Sequence, residues 1–243
     1  MTALEVSIEE TYKQVFGDNL QENDYPRIGF LESVVSGTVE CDGKMVTIVD
    51  ALKKEEEALK KAKKKDERTA HAKQIKDYEA IHAMQEWYLH SEKIPMREVR
   101  AEMLRKLGEA EMHYVVDTLD DCMMVLQKHR ITSLLGTLDK AFALETKYRE
   151  SAIHATTETL LKSGNRELQE KVMDKMAAYH SSLKQTLDEE LQHGSTNSVY
   201  NIARRLVDSG VKSLQQYAIS GLESSGNEYF RQLSAGMQDY LKT

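Results

Sequence analysis

What this chain has least of is proline, cysteine and aromatic bulk. Only Pro26 and Pro95 interrupt 243 residues, and aromatics make up 7%. Scarce proline leaves room for long uninterrupted helices. Scarce aromatics argue against the deep core of an ordinary globule and for apolar surface laid out in stripes. Two cysteines as far apart as Cys41 and Cys122 make no disulfide framework, so a reducing compartment is expected. No run approaches the roughly 18 apolar residues of a membrane span. The opening Met-Thr-Ala-Leu-Glu-Val-Ser-Ile-Glu-Glu is acidic, and neither a signal nor a transit peptide is expected there. Positive charge is also short: a net charge of −7 argues against nucleic acid as a partner. A phosphate-cradling glycine loop, a paired-cysteine zinc pattern and a nucleophile elbow are all missing.

What is present is lysine, glutamate, leucine, alanine, methionine and glutamine, the composition of helices. The expected fold class is all-α, an extended strut of long amphipathic helices with a C-terminal helical cluster and a small N-terminal β-hairpin. Residues 1–49 form the N-terminal segment. Leu4, Ile8, Tyr12 and Phe16 recur at helical spacing, and Gly17-Asp18-Asn19 and Pro26 end the pattern. Within 38–49, two β-branched runs flank Asp42-Gly43, a pair suited to a turn that wants positive φ twice. Residues 50–94 read as one charged helix capped by Asp50 and ended at Ile94-Pro95. Its run from Lys53 to Arg68 is read as a solvated face, with Glu56–Lys60 and Glu57–Lys61 in the favourable order. A basic face for phosphate or lipid is the second reading of that run.

Residues 96–162 contain one proline-free stripe: Val99, Met103 and Leu107, then Leu119, Met123 and Leu126, then Leu134, Leu138 and Phe142. As one stalk helix it would reach roughly 100 Å at about 1.5 Å per residue. Gly108 and Gly136 are its candidate bends or close contacts. Residues 165–243 form the C-terminal cluster, beginning at an Asn165 cap. Leu168, Val172, Met176, Leu183, Leu187 and Leu191 make a regular stripe there, and it is expected to dock a partner.

Candidate chemistry is thin. Glu-x-x-His occurs twice, as Glu79/His82 and Glu190/His193. That spacing puts two ligands on one helical face, as in ferritin-like di-iron proteins, but the site also needs a glutamate from each of two further helices. In a chain this rich in glutamate both pairs are read as surface residues. Met123-Met124, Met173 and Met176 suit an adaptable binding groove or, more commonly, a helix seam. Trp87 is read as a packing anchor or interface residue. No catalytic, cofactor-binding or metal-ligating residue is assigned, no cofactor is expected, and the chain is not expected to be an enzyme.

Gln127-Lys128-His129-Arg130, followed by Ala143-Leu144-Glu145-Thr146-Lys147-Tyr148-Arg149-Glu150, carries a family resemblance. This stretch resembles the soluble helical part of subunit b of the mitochondrial F-type ATP synthase peripheral stalk. There a Gln-Lys-Arg-His-like step precedes an Ala-Leu-Glu-x-x-Tyr-Arg-Glu-Arg run. Ser151 stands where the family has its second arginine, and the family's membrane helices have no counterpart here. The resemblance implies a stator subunit on the matrix side of the inner membrane, in a proton-transporting complex, linking the membrane part to the catalytic head and resisting torque. Its implied partners are other stalk and head subunits, with no direct membrane span of its own. Phe142, Leu144 and Tyr148, with the stripe from Leu168 to Leu191, would be the partner interface. A cytosolic or cytoskeletal helical scaffold is the alternative, and a ferritin-like di-iron protein a third reading.

Overall fold

A computed structural model describes residues 6–90, 96–145 and 148–242, so Leu4, the Ile94-Pro95 break, Thr146 and Lys147 lie outside the described residues. Among the described residues there are twelve helices and one two-stranded hairpin, so the chain is all-α with a small β-hairpin, as expected. No helix among them is long and apolar enough to cross a membrane. The chain divides into two compact units, Thr2–Ser133 and Leu134–Thr243.

In the first unit, α1 (Ile8–Phe16) begins at a capping box in which Ser7 and Glu10 satisfy each other's backbone N–H. The helix α2 (Asp24–Ser36) ends at Gly37, whose φ of +67° is open to glycine at little steric cost. The Tyr12 hydroxyl donates to Asp24 (2.9 Å) and joins these two helices. Strands β1 (Thr38–Cys41) and β2 (Lys44–Thr47) pair antiparallel, with Val39 opposite Val46. Both turn residues have positive φ, Asp42 at 51° and Gly43 at 72°, which is the turn the Asp-Gly pair predicts. A lone hairpin is marginal in water. This one buries Val39 and Cys41 and is tied down where the Tyr78 hydroxyl donates to the Glu40 carbonyl (3.2 Å).

The expected charged helix over 50–94 is two helices, α3 (Ile48–Lys61) and α4 (Lys65–His90). Thr47, not Asp50, is the N-cap: its hydroxyl accepts from the Asp50 N–H and donates to the Asp50 carboxylate. The solvated reading of the Lys53–Arg68 run agrees with its exposure, but α3 folds back along α4, with His71 Nδ1 2.7 Å from Glu55. Further along, α4 buries Tyr78, Ile81, Met84, Trp87 and Tyr88 in one core with Leu31, Val34, Ile48, Leu107 and Leu126. Trp87 is therefore a core residue.

The single stalk helix expected over 96–162 is instead four helices: α5 (Met96–Glu109), α6 (His113–Val116), α7 (Leu119–Phe142) and α8 (Arg149–Leu161). The first break is a Schellman cap. The Met112 N–H reaches the Leu107 carbonyl (3.0 Å), and the Glu111 N–H reaches that of Gly108 (3.1 Å). Met112 and Leu107 are both buried, the apolar contact that accompanies this motif. Glu111 occupies the left-handed position at φ 56°, where glycine is usual. The second break follows Phe142 and separates α7 from α8 without proline or glycine. A β-carbon at Gly108 or Gly136 would meet nothing within 4 Å, so neither is a close contact.

The second unit holds the end of α7, α8, and four more helices: α9 (Arg166–His193), α10 (Thr196–Asp208), α11 (Lys212–Ser224) and α12 (Glu228–Tyr240). Asn165 caps α9 as expected, accepting from the Leu168 N–H (2.9 Å), and Ser195 caps α10. The C-terminal cluster thus reaches further back along the chain than residue 165. Leu183 and Leu187 pack with Val199, Ala203, Leu206, Leu214, Leu222, Phe230 and Met237 in its core.

Replacing the fully buried Leu187 by alanine should lower stability by about 2–5 kcal/mol, because the cavity only partly collapses. Replacing Leu144, which is 38% exposed, should change it by no more than about 0.5 kcal/mol. Urea unfolding followed by circular dichroism measures both.

Candidate partner-binding site

The stripe expected to dock a partner is largely occupied within the chain. Leu168, Val172, Leu183 and Leu187 are buried, and Leu191 is half-buried against the same core as Leu183 and Leu187. The partner seam assigned to them is corrected accordingly: a side chain already out of water gains no further hydrophobic free energy by meeting a partner. Phe142 stacks on Tyr179, ring centroids 4.6 Å apart. Leu144 and Tyr148 are exposed in the connection between α7 and α8, not on a helix face. Of the nine expected interface residues, Met176 lines an apolar surface groove.

That groove, about 600 Å³, lies between α8 and α9 and is closed at one end by the α10–α11 turn. Ile153, Thr157 and Leu161 supply the α8 wall, Met173, Met176 and His180 the α9 wall, and Val211 the end. On both helices these positions recur at three and four residues, so each wall is one helical face. Ile153 is buried at the base. The Thr157 hydroxyl, 3.3 Å from Met176 Sδ, holds that thioether across the helix pair. Met173 is 57% exposed and Val211 37%, so apolar atoms face water at both the rim and the end.

The charged groups at the margin are already partnered. Glu158 pairs with Lys162 (2.6 Å). Glu150 is buried and accepts from the Tyr179 hydroxyl (2.6 Å) and Arg205 Nε (3.1 Å), while Arg205 Nη2 donates to the Tyr179 oxygen (3.0 Å). This closed trio joins α8, α9 and α10 and fixes the groove's width. A buried carboxylate held by a guanidinium and a phenol is tolerated because each of its partners also finds one. Burial, then the hydrogen bond to Glu150, pushes the Tyr179 phenol up to about 12. Burial holds the His180 imidazole below its usual value, so it lines the groove uncharged at neutral pH.

The two Glu-x-x-His pairs fall in different units. Glu79 pairs with Lys106 (3.4 Å), and His82 Nδ1 is enclosed with no protein partner. Glu190 and His193 lie at the end of α9 in the other unit. Among the described residues no three His, Cys, Asp or Glu side chains converge as a metal set. Burial pushes the Cys122 thiol up to about 11, far from a reactive thiolate.

The sequence reading missed Ile153 and Val211. The pairing of Met173 and Met176 at a three-residue spacing was the signal available for the groove. No family model, curated protein or solved structure matches the chain. The resemblance over 127–150 therefore rests on its own residues.

The raised phenol of Tyr179 fixes the sign of an alkaline effect. A folded-state value above the unfolded one means its stabilisation is complete below the ordinary value of 10 and is lost as pH rises through about 12. Ultraviolet titration of tyrosinate should show a late phase near pH 12, and Tyr179→Phe should remove one tyrosine's amplitude from it. The same variant should lower stability at neutral pH by about 1–3 kcal/mol, because it strips one donor from the buried Glu150.

Proposed function

We propose that the chain is a non-catalytic structural protein that holds a partner protein, gripping an amphipathic helix of that partner in the groove between α8 and α9. The observation that carries this reading is the apolar groove itself, with Met173 and Val211 facing water while its marginal charges are internally paired. An apolar floor with neutralised margins suits helix-in-groove recognition, in which side chains three or four residues apart provide the anchors. Paired methionines let such a groove adapt its shape. Each anchor fully buried is worth about 1.5–3 kcal/mol. Association costs about 4–15 kcal/mol, so several anchors are needed, and the groove has residues enough to receive them.

The assembly indicated by the resemblance over 127–150 is the peripheral stalk of mitochondrial F-type ATP synthase, with this chain as a stator subunit on the matrix side. A cytosolic or cytoskeletal scaffold is the second reading. It is favoured by one observation: the resembling stretch is not one helix here, since α7 ends at Phe142 and α8 begins at Arg149.

Native copurification with the tagged full-length chain separates these readings. Stoichiometric recovery of the ATP synthase supports the stalk, and recovery of a different defined complex supports the scaffold. Met173→Glu with Val211→Asp should release the partner at least about tenfold, the equivalent of one lost anchor. The unfolding midpoint should stay near that of the parent, because both side chains are exposed. Undiminished partner recovery with that double variant overturns the groove, and no stoichiometric partner at all overturns the structural reading.

A further inference from the structure

Positive charge is unevenly placed in this acidic protein. Residues 53–76 hold ten Lys and Arg against five Asp and Glu, while the whole chain has a net charge of −7. Much of that excess converges on one concavity of the first unit. A groove of about 810 Å³ is lined by Lys63 in the α3–α4 connection, by Lys65, Arg68, Lys73 and Lys76 on α4, and by Glu109 and Glu111 at the end of α5. Leu59, Thr69 and Ala72 complete the lining. The α4 contributors recur every three or four residues, so they share one helical face. The opposite wall is brought there by the Schellman cap with Glu111 in the left-handed conformation.

Ion pairing leaves a residue of one sign. Glu109 shares Arg105 with Glu102 (2.5 and 2.7 Å), and Glu111 pairs with Lys73 (3.7 Å). Just outside the groove, Lys61 pairs with Glu57 (3.8 Å) and Lys64 with Glu67 (3.5 Å). Among the described residues, Lys63, Lys65, Arg68 and Lys76 pair with no carboxylate. Four unbalanced cations therefore face one concavity, and like charges so placed repel one another until an anion enters.

We propose that this groove binds a soluble polyphosphate: a small molecule carrying two or more linked phosphates. The charge density selects it. Lysine stems are long enough to bring point charges together from successive turns, and an arginine fork matches phosphate oxygens. The volume falls within the range of small-ligand sites. A bilayer surface is flat and would leave a concave cluster partly unfilled. A carboxylate peptide brings one charge per side chain, spaced several ångströms apart.

Calorimetric titration of the full-length chain with tripolyphosphate at low salt tests this. Saturable binding near one per chain is expected, weakening as salt rises. Arg68→Glu with Lys76→Glu should weaken it at least about tenfold, since charge-assisted contacts are lost. Glu111→Gln should tighten it several-fold by removing an anion from the lining and freeing Lys73, a gain that misfolding cannot mimic. Lys212→Glu with Arg231→Glu, on the second unit, should leave it unchanged. Two comparison arms use phosphatidylcholine vesicles carrying phosphatidylinositol bisphosphate and a polyglutamate peptide. The proposal is overturned by an absence of saturable tripolyphosphate binding, by equal loss in the Lys212 and Arg231 variant, or by Glu111→Gln failing to tighten binding. Vesicle or polyglutamate binding that tripolyphosphate does not displace overturns it as well.

Discussion

The first unit depends on one buried stripe. Tyr78, Ile81, Met84, Trp87 and Tyr88 give α4 a continuous apolar face, and α2, α3, α5 and the hairpin are all built around that helix. Polar contacts then set where each neighbour sits. Tyr78 holds the hairpin, His71 meets Glu55 on α3, and Glu79 pairs with Lys106 on α5. The hydroxyl of Tyr88 lies 3.0 Å from His129 Nδ1 on α7, and the other ring nitrogen of that histidine reaches the Val6 carbonyl (2.9 Å). Hydrophobic burial is non-directional, so the stripe alone would leave these helices free to slide. The few directional bonds remove that freedom.

The second unit repeats the arrangement with α9. Its stripe closes on α10 and α11 at one end, through Leu183 and Leu187. Toward the other end the Glu150–Tyr179–Arg205 trio and the Phe142–Tyr179 stack set the position of α8 and of the end of α7. Breaking a trio member leaves a buried polar group unmatched, which is far more costly than the net worth of an intact bond. The groove beside the trio consequently has a defined width rather than one that collapses onto Ile153.

Much of this was legible in the sequence, for a physical reason. Periodicity of three and four marks which face of a helix is buried, and the stripes over Leu119–Phe142 and Leu168–Leu191 carry that signal for α7 and α9. The Asp-Gly pair gave the hairpin and its turn, and Asn165 gave a cap. What periodicity does not carry is what the face is buried against. The stripe from Leu168 to Leu191 looked unpartnered because the helices that cover it, α8, α10 and α11, have the same kind of stripe. Nor does it carry breaks made without glycine or proline. The chain turns at residues 62–64 through lysines, at Glu111 in a left-handed conformation, and after Phe142 with neither breaker present. At Glu111 tertiary packing, with Met112 buried beside Leu107, overrides a local preference to continue.

That limit explains why both concavities escaped the reading of the stripes. Each is made where helices end, not along a single face. The apolar one needs the α10–α11 turn to close it, and the basic one needs the α3–α4 connection and the cap of α5. A helix end brings groups together that no spacing rule connects: Val211 with Ile153, or Lys63 with Glu111. One break of the expected long helix, the cap of α5, supplies a wall of the basic concavity, whereas the apolar one lies where α8, α9 and the α10–α11 turn meet. An unbroken helix over 96–162 would have carried its apolar stripe with no wall opposite it. In the second unit α8 to α12 hide most of their apolar surface among themselves, and Met173, Met176 and Val211 line the apolar groove that still faces water.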